Sequence, residues 1–222
     1  VAHRIPNVPK GEWNGHSETR WGEGFGEAKA GEWEPPEPVG AVRLRLFNDH
    51  AVADLVGPNR CDLITDEERI KAESKLGPDP LDAGARSDAM ERFAQVAHSK
   101  KRAIGEIVMD QSIIAGVGNI YRADALFLAG ISPHRKGANI SIKRLRELWV
   151  LICDLMNRGL AAGRLDTMDP EEAPNPPIEG DEEASRWYVY HRTDRPCLRC
   201  GTPIREALMQ NRRLFWCPSC QR

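Results

Sequence analysis

Between residues 42 and 56 apolar and polar positions alternate, and from residue 65 onward the spacing lengthens to that of helices. In "AVRLRLF" Val42, Leu44 and Leu46 alternate with Arg43 and Arg45, the pattern of a half-buried strand. "NDH" then turns the chain into "AVADLV", which predicts a hairpin. A hairpin alone is marginal in water, so it is expected to belong to a larger sheet. No further strand is visible in residues 1–40. There Gly, Pro and Glu surround Trp13, Trp21 and Trp33 without a period, as in loops or an irregular insertion.

Five helices follow. "TDEERIKAESKLGPDP" opens with Thr65 and Glu68 as a capping box and stops at Gly77-Pro78. "SDAMERFAQVAHSK" takes Ser87 as its cap and carries Met90, Phe93, Ala94 and Ala97 on one stripe. "AIGEIVMDQ" puts Ile104, Ile107 and Val108 together, and "GNIYRADALFLAG" ends at Gly130. The longest helix is expected from about Ser141 to Leu160, with Leu145, Leu148, Trp149, Ile152, Leu155 and Met156 inward. After Gly163 an acidic, proline-rich, aperiodic stretch reads as a solvated linker or loop, and "WYVYHR" as a strand entering a cysteine-rich end.

Composition changes the picture at that end. The whole chain carries a formal charge of −2, yet the residues from Trp187 onward hold seven arginines against Asp194 and Glu206, a local +5 that leaves −7 on the rest. An anion-binding module on a more acidic body is the physical reading. No apolar run approaches the ~18 residues of a membrane span, and the first residues contain no apolar core resembling a signal peptide. A soluble intracellular protein is therefore expected.

Two stretches carry chemistry. In "CLRCGTPIREALMQNRRLFWCPSC", Cys197/Cys200 and Cys217/Cys220 form two Cys-x-x-Cys pairs separated by sixteen residues. Each pair turns two thiolates toward one metal, and four thiolates in tetrahedral array are the usual structural Zn2+ site; redox pairs are the competing reading. "TPIRE" and "RLFW" suit the two strands of a hairpin turning near "LMQN". So short a module buries no core, so metal binding must supply its folding energy. Arg205, Arg212 and Arg213 lie on or beside that hairpin, where they can meet phosphates. The second stretch is "MDQSIIAGVGNIYRADALF". Gly116 and Gly118 permit a tight turn and close approach of another molecule, and Asn119 suits the N-cap of the next helix. Free amides at a helix start bind phosphate.

Together, "DQSIIAGVGNIYRADALFLAGISP" resembles the helix–two-turns–helix motif of the formamidopyrimidine-DNA glycosylase / endonuclease VIII family, and "CLRCGTPI…NRRLFWCPSCQ" resembles that family's zinc finger. "LGPDPL" resembles the segment joining the family's two domains. "WCPSCQ" and Gly57-Pro58 look closer to the endonuclease VIII branch, especially its actinobacterial members. The resemblance implies an α+β protein. Residues 1–62 would be a remnant of the N-terminal β-sandwich, 63–186 the helical domain with the acidic loop, and 187–222 the zinc finger.

It further implies a bifunctional DNA glycosylase and AP lyase. Such an enzyme swings an oxidised base out of the duplex, attacks its sugar with an amine, and cleaves the strand by β- and δ-elimination. The partner implied is double-stranded DNA containing oxidised bases or abasic sites, bound by a monomer. Asn119, with Gly118 and nearby amides, would hold phosphates flanking the flipped nucleotide. Arg212 would reach the lesion's phosphates from the finger, and Arg213 would make a general phosphate contact. The family's attacking amine is an N-terminal proline followed by glutamate, whereas this chain begins Val1-Ala2 and lacks the loop carrying the family's catalytic lysine. A truncated chain, inactive as it stands, is the expectation. The family's arginine-phenylalanine element after the sheet hairpin is not evident in "GPNRCDLI". The alternatives are a non-catalytic DNA-binding protein and a zinc-ribbon module of transcription or ribosome assembly, against which "GVGN" argues.

Overall fold

The computed structural model describes residues 34–49, 51–58, 61–82 and 88–222, together with the backbone of 2–4 and 86–87. The described residues fall into two compact units, Val1–Arg69 and Ile70–Arg222.

The first unit is built on β2 (Val42–Phe47) and β3 (Val52–Val56), paired antiparallel as the alternation predicts. Asn48 shapes the turn: its N–H donates to the Ala51 carbonyl at 3.0 Å and its Oδ1 accepts from the Ala51 N–H at 2.8 Å. Arg45 faces Asp54 in the register, and its guanidinium grips that carboxylate through two 2.7 Å bonds. A third strand, β1 (Ala2–Arg4), lies on the other side of β3, giving the order β1-β3-β2. The first forty residues thus do contribute a strand; three residues are too few to show a period. The irregular reading of residues 5–33 lies outside the described residues. The capping box forms as read: Thr65 N–H donates to Glu68 Oε2 at 2.9 Å and Glu68 N–H to Thr65 Oγ1 at 3.3 Å, opening α1 (Asp66–Glu73).

The second unit packs α2 (Arg86–Ser99), the single turn α3 (Ile104–Ile107), α4 (Asn119–Leu128) and α5 (Ile142–Ala162). The stripes expected from the sequence meet in one core, where Phe93, Ala94 and Ala97 of α2 face Leu145, Leu148, Trp149 and Ile152 of α5. Phe93 and Trp149 rings lie 5.5 Å apart. Ser141 caps α5 and Gly163 ends it at φ 65°. α2 begins at Arg86, so Ser87 lies inside the helix rather than before it. "AIGEIVMDQ" yields only the four residues of α3, because Asp110 redirects the chain: its Oδ1 accepts from the N–H and hydroxyl of Ser112.

α4 is buried on nearly every side. Tyr121, Ala125 and Leu126 join the α2–α5 core, while Ala123 and Phe127 join a second core with Tyr188, Val189, Ile204 and Phe215. That second core lies under β4 (Arg205–Met209) and β5 (Arg212–Trp216), an antiparallel pair closed by Gln210 and Asn211 at φ 52° and 58°. Two central residues with positive φ match the right-handed twist of a hairpin.

Two expectations fail here. The "WYVYHR" stretch is a turn rather than a strand, because the Asp124 carboxylate claims its amides: Tyr188 N–H at 2.8 Å, Val189 N–H at 3.0 Å and Tyr190 N–H at 3.2 Å. The acidic stretch after Gly163 is held rather than merely solvated. Asp166 pairs with Arg164 and Arg186, Trp187 Nε1 donates to the Leu165 carbonyl, and buried Asp181 pairs with buried Arg192 at 2.8 Å. Arg199 clamps the same stretch by pairing with Glu172 while lying over the Phe127 and Tyr188 rings. None of the described helices is long and apolar enough to cross a membrane.

Candidate nucleic-acid interface and metal centre

The "AGVG" turn between α3 and α4 needs glycine at Gly116, whose φ is +78°. Gln111 braces it, accepting from Gly116 N–H at 2.9 Å and donating to the Val117 carbonyl at 3.1 Å. Gly118 sits at φ −104° with open space where a Cβ would stand, so its backbone makes no demand for glycine. Gly118, not Asn119, occupies the N-cap position, and Asn119 is the first helical residue. The Asn119 side chain is thereby freed for a distant partner. Its Nδ2 donates to the Arg213 carbonyl at 2.8 Å, across 94 residues of sequence.

Arg122, one turn on, completes this junction. Its Nη2 donates to the same Arg213 carbonyl at 2.9 Å and to Asn119 Oδ1. The side chain is only 1% exposed, and its Nε and Nη1 have no hydrogen-bond partner among the described residues. Burial, and after it the charge of Arg212, lowers its pKa to about 10. It therefore stays protonated at neutral pH. An uncompensated buried cation projects positive potential onto the surface above it, more strongly than a solvated one would. Tyr190 stands nearby, stacked on His191 at 4.3 Å and edge-on to Phe215 at 5.3 Å.

The two adjacent arginines of β5 differ. Arg213 is committed within its own hairpin: Nε and Nη2 bond the Glu206 carboxylate at 2.6 and 2.7 Å, and Glu206 also accepts from the Thr193 hydroxyl at 2.6 Å. Those bonds, Arg213's first, pull Glu206 down to about 2. Arg212 is exposed and makes no ion pair among the described residues. The α4 N-terminus, Asn119, buried Arg122 and exposed Arg212 thus converge on one surface. Free amides at a helix start add donors and a partial positive charge.

The four cysteines come together as well. The Sγ atoms of Cys197, Cys200, Cys217 and Cys220 all lie within 4.8 Å of one another. Cys197 and Cys220 are 3.9 Å apart, and Cys200 and Cys217 3.5 Å. A tetrahedral site with metal–sulfur bonds of ~2.3 Å has edges of about 3.8 Å, so the donor set fits a dication of zinc's size with no open position. Turns hold each pair: Gly201 N–H donates to the Cys197 carbonyl at 2.8 Å, and Cys220 N–H points at Cys217 Sγ at 3.4 Å. Gln221 ties the end of the chain to the helical core. Its Oε1 accepts from Cys217 N–H at 2.8 Å and its Nε2 donates to the Ile131 carbonyl at 3.1 Å.

Sequence reasoning passed over Arg122, Asp124 and Tyr190. The first two leave a local signal, two opposite charges inside an otherwise apolar helix whose burial is required on all sides. Tyr190 leaves none. Its position depends on the capture of its amide by Asp124.

The family model described as the formamidopyrimidine-DNA glycosylase H2TH domain matches residues 76–169, the span that contains α2 to α5. Over 187 residues the chain is 41% identical to Endonuclease 8 1 of Mycobacterium bovis, covering 84% of this chain and 68% of that protein. It is 35% identical over 158 residues to the formamidopyrimidine-DNA glycosylase of Solibacter usitatus, covering 70% and 56%. The solved structure of the MutM (Fpg) protein from Thermus thermophilus superposes with a TM-score of 0.62 at 27% identity, covering 83% of this chain and 70% of that one. With its helical domain, its cysteine cluster and its identity to the Mycobacterium protein in agreement, the chain belongs to the formamidopyrimidine-DNA glycosylase / endonuclease VIII family, on the endonuclease VIII side.

Proposed function

We propose that this protein acts in DNA base excision repair as a glycosylase with AP lyase activity. Its substrate is double-stranded DNA carrying oxidised bases, and abasic sites are bound by the same surface. The reading is supported above all by the junction at the Arg213 carbonyl. There Asn119 and Arg122 seat the hairpin against the start of α4 and leave Arg212 facing outward. A flipped nucleotide exposes the phosphates on either side of it, and a rigid constellation of donors with net positive potential suits them. Asn119 is held by its bonds to Arg213 and Arg122, so little side-chain entropy remains to be lost on binding.

Zn2+ held by Cys197, Cys200, Cys217 and Cys220 would supply the folding energy of the finger and take no part in the chemistry. The groups described here bind and orient, and none of them is assigned as the attacking amine. Arg212 and Arg213 have separate tasks: the first meets the lesion's phosphates, and the second, paired with Glu206, stiffens the hairpin.

Binding is tested by fluorescence anisotropy on abasic-site and undamaged duplexes, and chemistry by borohydride trapping and strand cleavage. Removing one charge-assisted phosphate contact, Arg212→Ala is expected to weaken abasic-site binding by about tenfold or more. Arg213→Ala is expected to weaken it by less. Equal losses would mean a diffuse charge effect and overturn the assignment of Arg212. Tight binding with neither adduct nor cleavage is the expected outcome for this chain as it stands, and a trapped adduct would overturn that expectation.

A further inference from the structure

Next to this surface two loops, residues 100–105 and 133–138, run antiparallel. Ala103 and Lys136 form a bridge, Ile104 N–H donates to the Arg135 carbonyl at 2.7 Å, and Gly137 N–H to the Arg102 carbonyl at 3.0 Å. Ala138 N–H extends the ladder to the Lys100 carbonyl at 2.8 Å. The pairing gathers Lys100, Lys101, Arg102, Arg135 and Lys136 onto one backbone scaffold. Arg102 is spoken for by Asp110 at 2.6 Å, whereas the other four make no ion pair among the described residues. Lys101 and Lys136 are exposed, and Lys100 and Arg135 half-buried. In a chain whose net charge is −2, so many unpaired cations on one short ladder are a segregation of charge rather than an average surface.

The ladder also abuts the zinc hairpin. The His134 ring meets the Trp216 ring edge-on at 4.9 Å, and a Cβ on Gly105 would come 2.9 Å from Met209 Sδ. Met209 is the partner of Arg212 in the β4–β5 register. The ladder is therefore packed against the hairpin that carries Arg212. A cluster of unpaired cations on loops packed against that hairpin fits a polyanion, the backbone of a duplex.

We propose that this ladder is a second phosphate-contact surface, engaging the duplex backbone beyond the nucleotides that flank the lesion. It rests on the DNA-binding reading above and assigns a role that base chemistry does not touch. Contacts of this kind position the protein and carry no lesion preference.

The test is a salt titration of binding by wild type and Lys101→Gln/Lys136→Gln, on abasic-site and undamaged duplexes of one length. Each phosphate that goes unneutralised flattens the slope of log Kd against log salt by about 0.9, so the double variant is expected to lose about 1.8 from the slope. Between roughly 50 and 200 mM salt, wild type should then lose about tenfold more affinity than the variant. The change should be the same on both duplexes, leaving the abasic-site preference as it was, and Lys101→Arg/Lys136→Arg should retain the wild-type slope. If the Gln pair melts below wild type, Lys101→Gln alone carries the measurement with half the change. An unchanged slope in a folded variant, beside a wild type that binds, overturns the ladder alone. A wild type with no salt-dependent affinity for either duplex overturns the DNA-binding reading and the ladder with it.

Discussion

Adjacent arginines on β5 receive different tasks because neighbouring residues on a strand point to opposite faces. Arg213 turns toward Glu206 of the facing strand, while Arg212 turns to solvent. The Glu206–Arg213 pair has a pH signature. The carboxylate sits at about 2, below its ordinary value of 4.5, through its bonds to Arg213 and then Thr193. A lowered acid stabilises the fold fully above the unfolded value and loses that contribution as pH falls from about 4.5 toward 2. Glu206→Gln is therefore expected to flatten the fall in thermal stability across that window. Melting temperature against pH checks this, and an unaltered acid limb would remove Glu206 as a contributor. Arg122 shows the opposite economy: a cation kept buried at the expense of two unpaired nitrogens, a cost of about 1–3 kcal/mol each where no partner exists. Proteins retain such costs at functional sites.

At the scale of elements, α4 is the member on which the second unit turns. Its apolar residues serve two cores, and its Asp124 replaces the strand partner that residues 188–190 lack. Burial pushes the Asp124 carboxyl up, while its bonds to Thr167 and to three backbone amides work the other way. Asp124→Ala would orphan those amides in a dry interior. A loss of about 4 kcal/mol is expected, from desolvated donors worth about 1–3 kcal/mol each. Chemical denaturation measures it, and a loss below about 1 kcal/mol would show that the turn holds itself. Gly159 marks how closely α4 and α5 approach, since a Cβ there would overlap Tyr121 Oη. Four of the five helices were legible, since their periods and the Thr65–Glu68 box are local features, whereas "AIGEIVMDQ" reduces to the single turn α3. The strand misread at "WYVYHR" was not, because its alternation of bulky residues is overruled by a carboxylate 64 residues away.

For the whole molecule, the finger and the helical core share a boundary where Ala123 and Phe127 pack on Ile204 and Phe215 and polar ties fix the register: Asn119 and Arg122 to Arg213, Gln221 to Ile131, Arg192 to Asp181. The hairpin is short, and Zn2+ held by its four cysteines would couple metal binding to its fold. Chelation, or Cys217→Ser, is expected to abolish abasic-site binding, while circular dichroism retains the helices of the α2–α5 core. Readdition of Zn2+ to the chelated protein should restore binding. A chelated protein that keeps its affinity would mean that the four cysteines hold nothing the interface needs. If instead the helical signal collapses as well, the two cores fold as one unit.

The sequence by itself determined the local outcomes: where the four longer helices run, where the β4–β5 hairpin turns, and that four cysteines at two fixed spacings would face one another. These follow from nearest-neighbour stereochemistry and from side chains a few positions apart. Only the tertiary structure decided that Asn119 spends its amide on a carbonyl 94 residues away rather than on its own helix. It also decided that Arg213 is paired with Glu206 while Arg212 is exposed, and that Arg122 is a buried cation. Hydrogen bonds and charges choose partners by distance in space, and that distance exists only after the apolar stripes of α2, α4 and α5 have closed around the core.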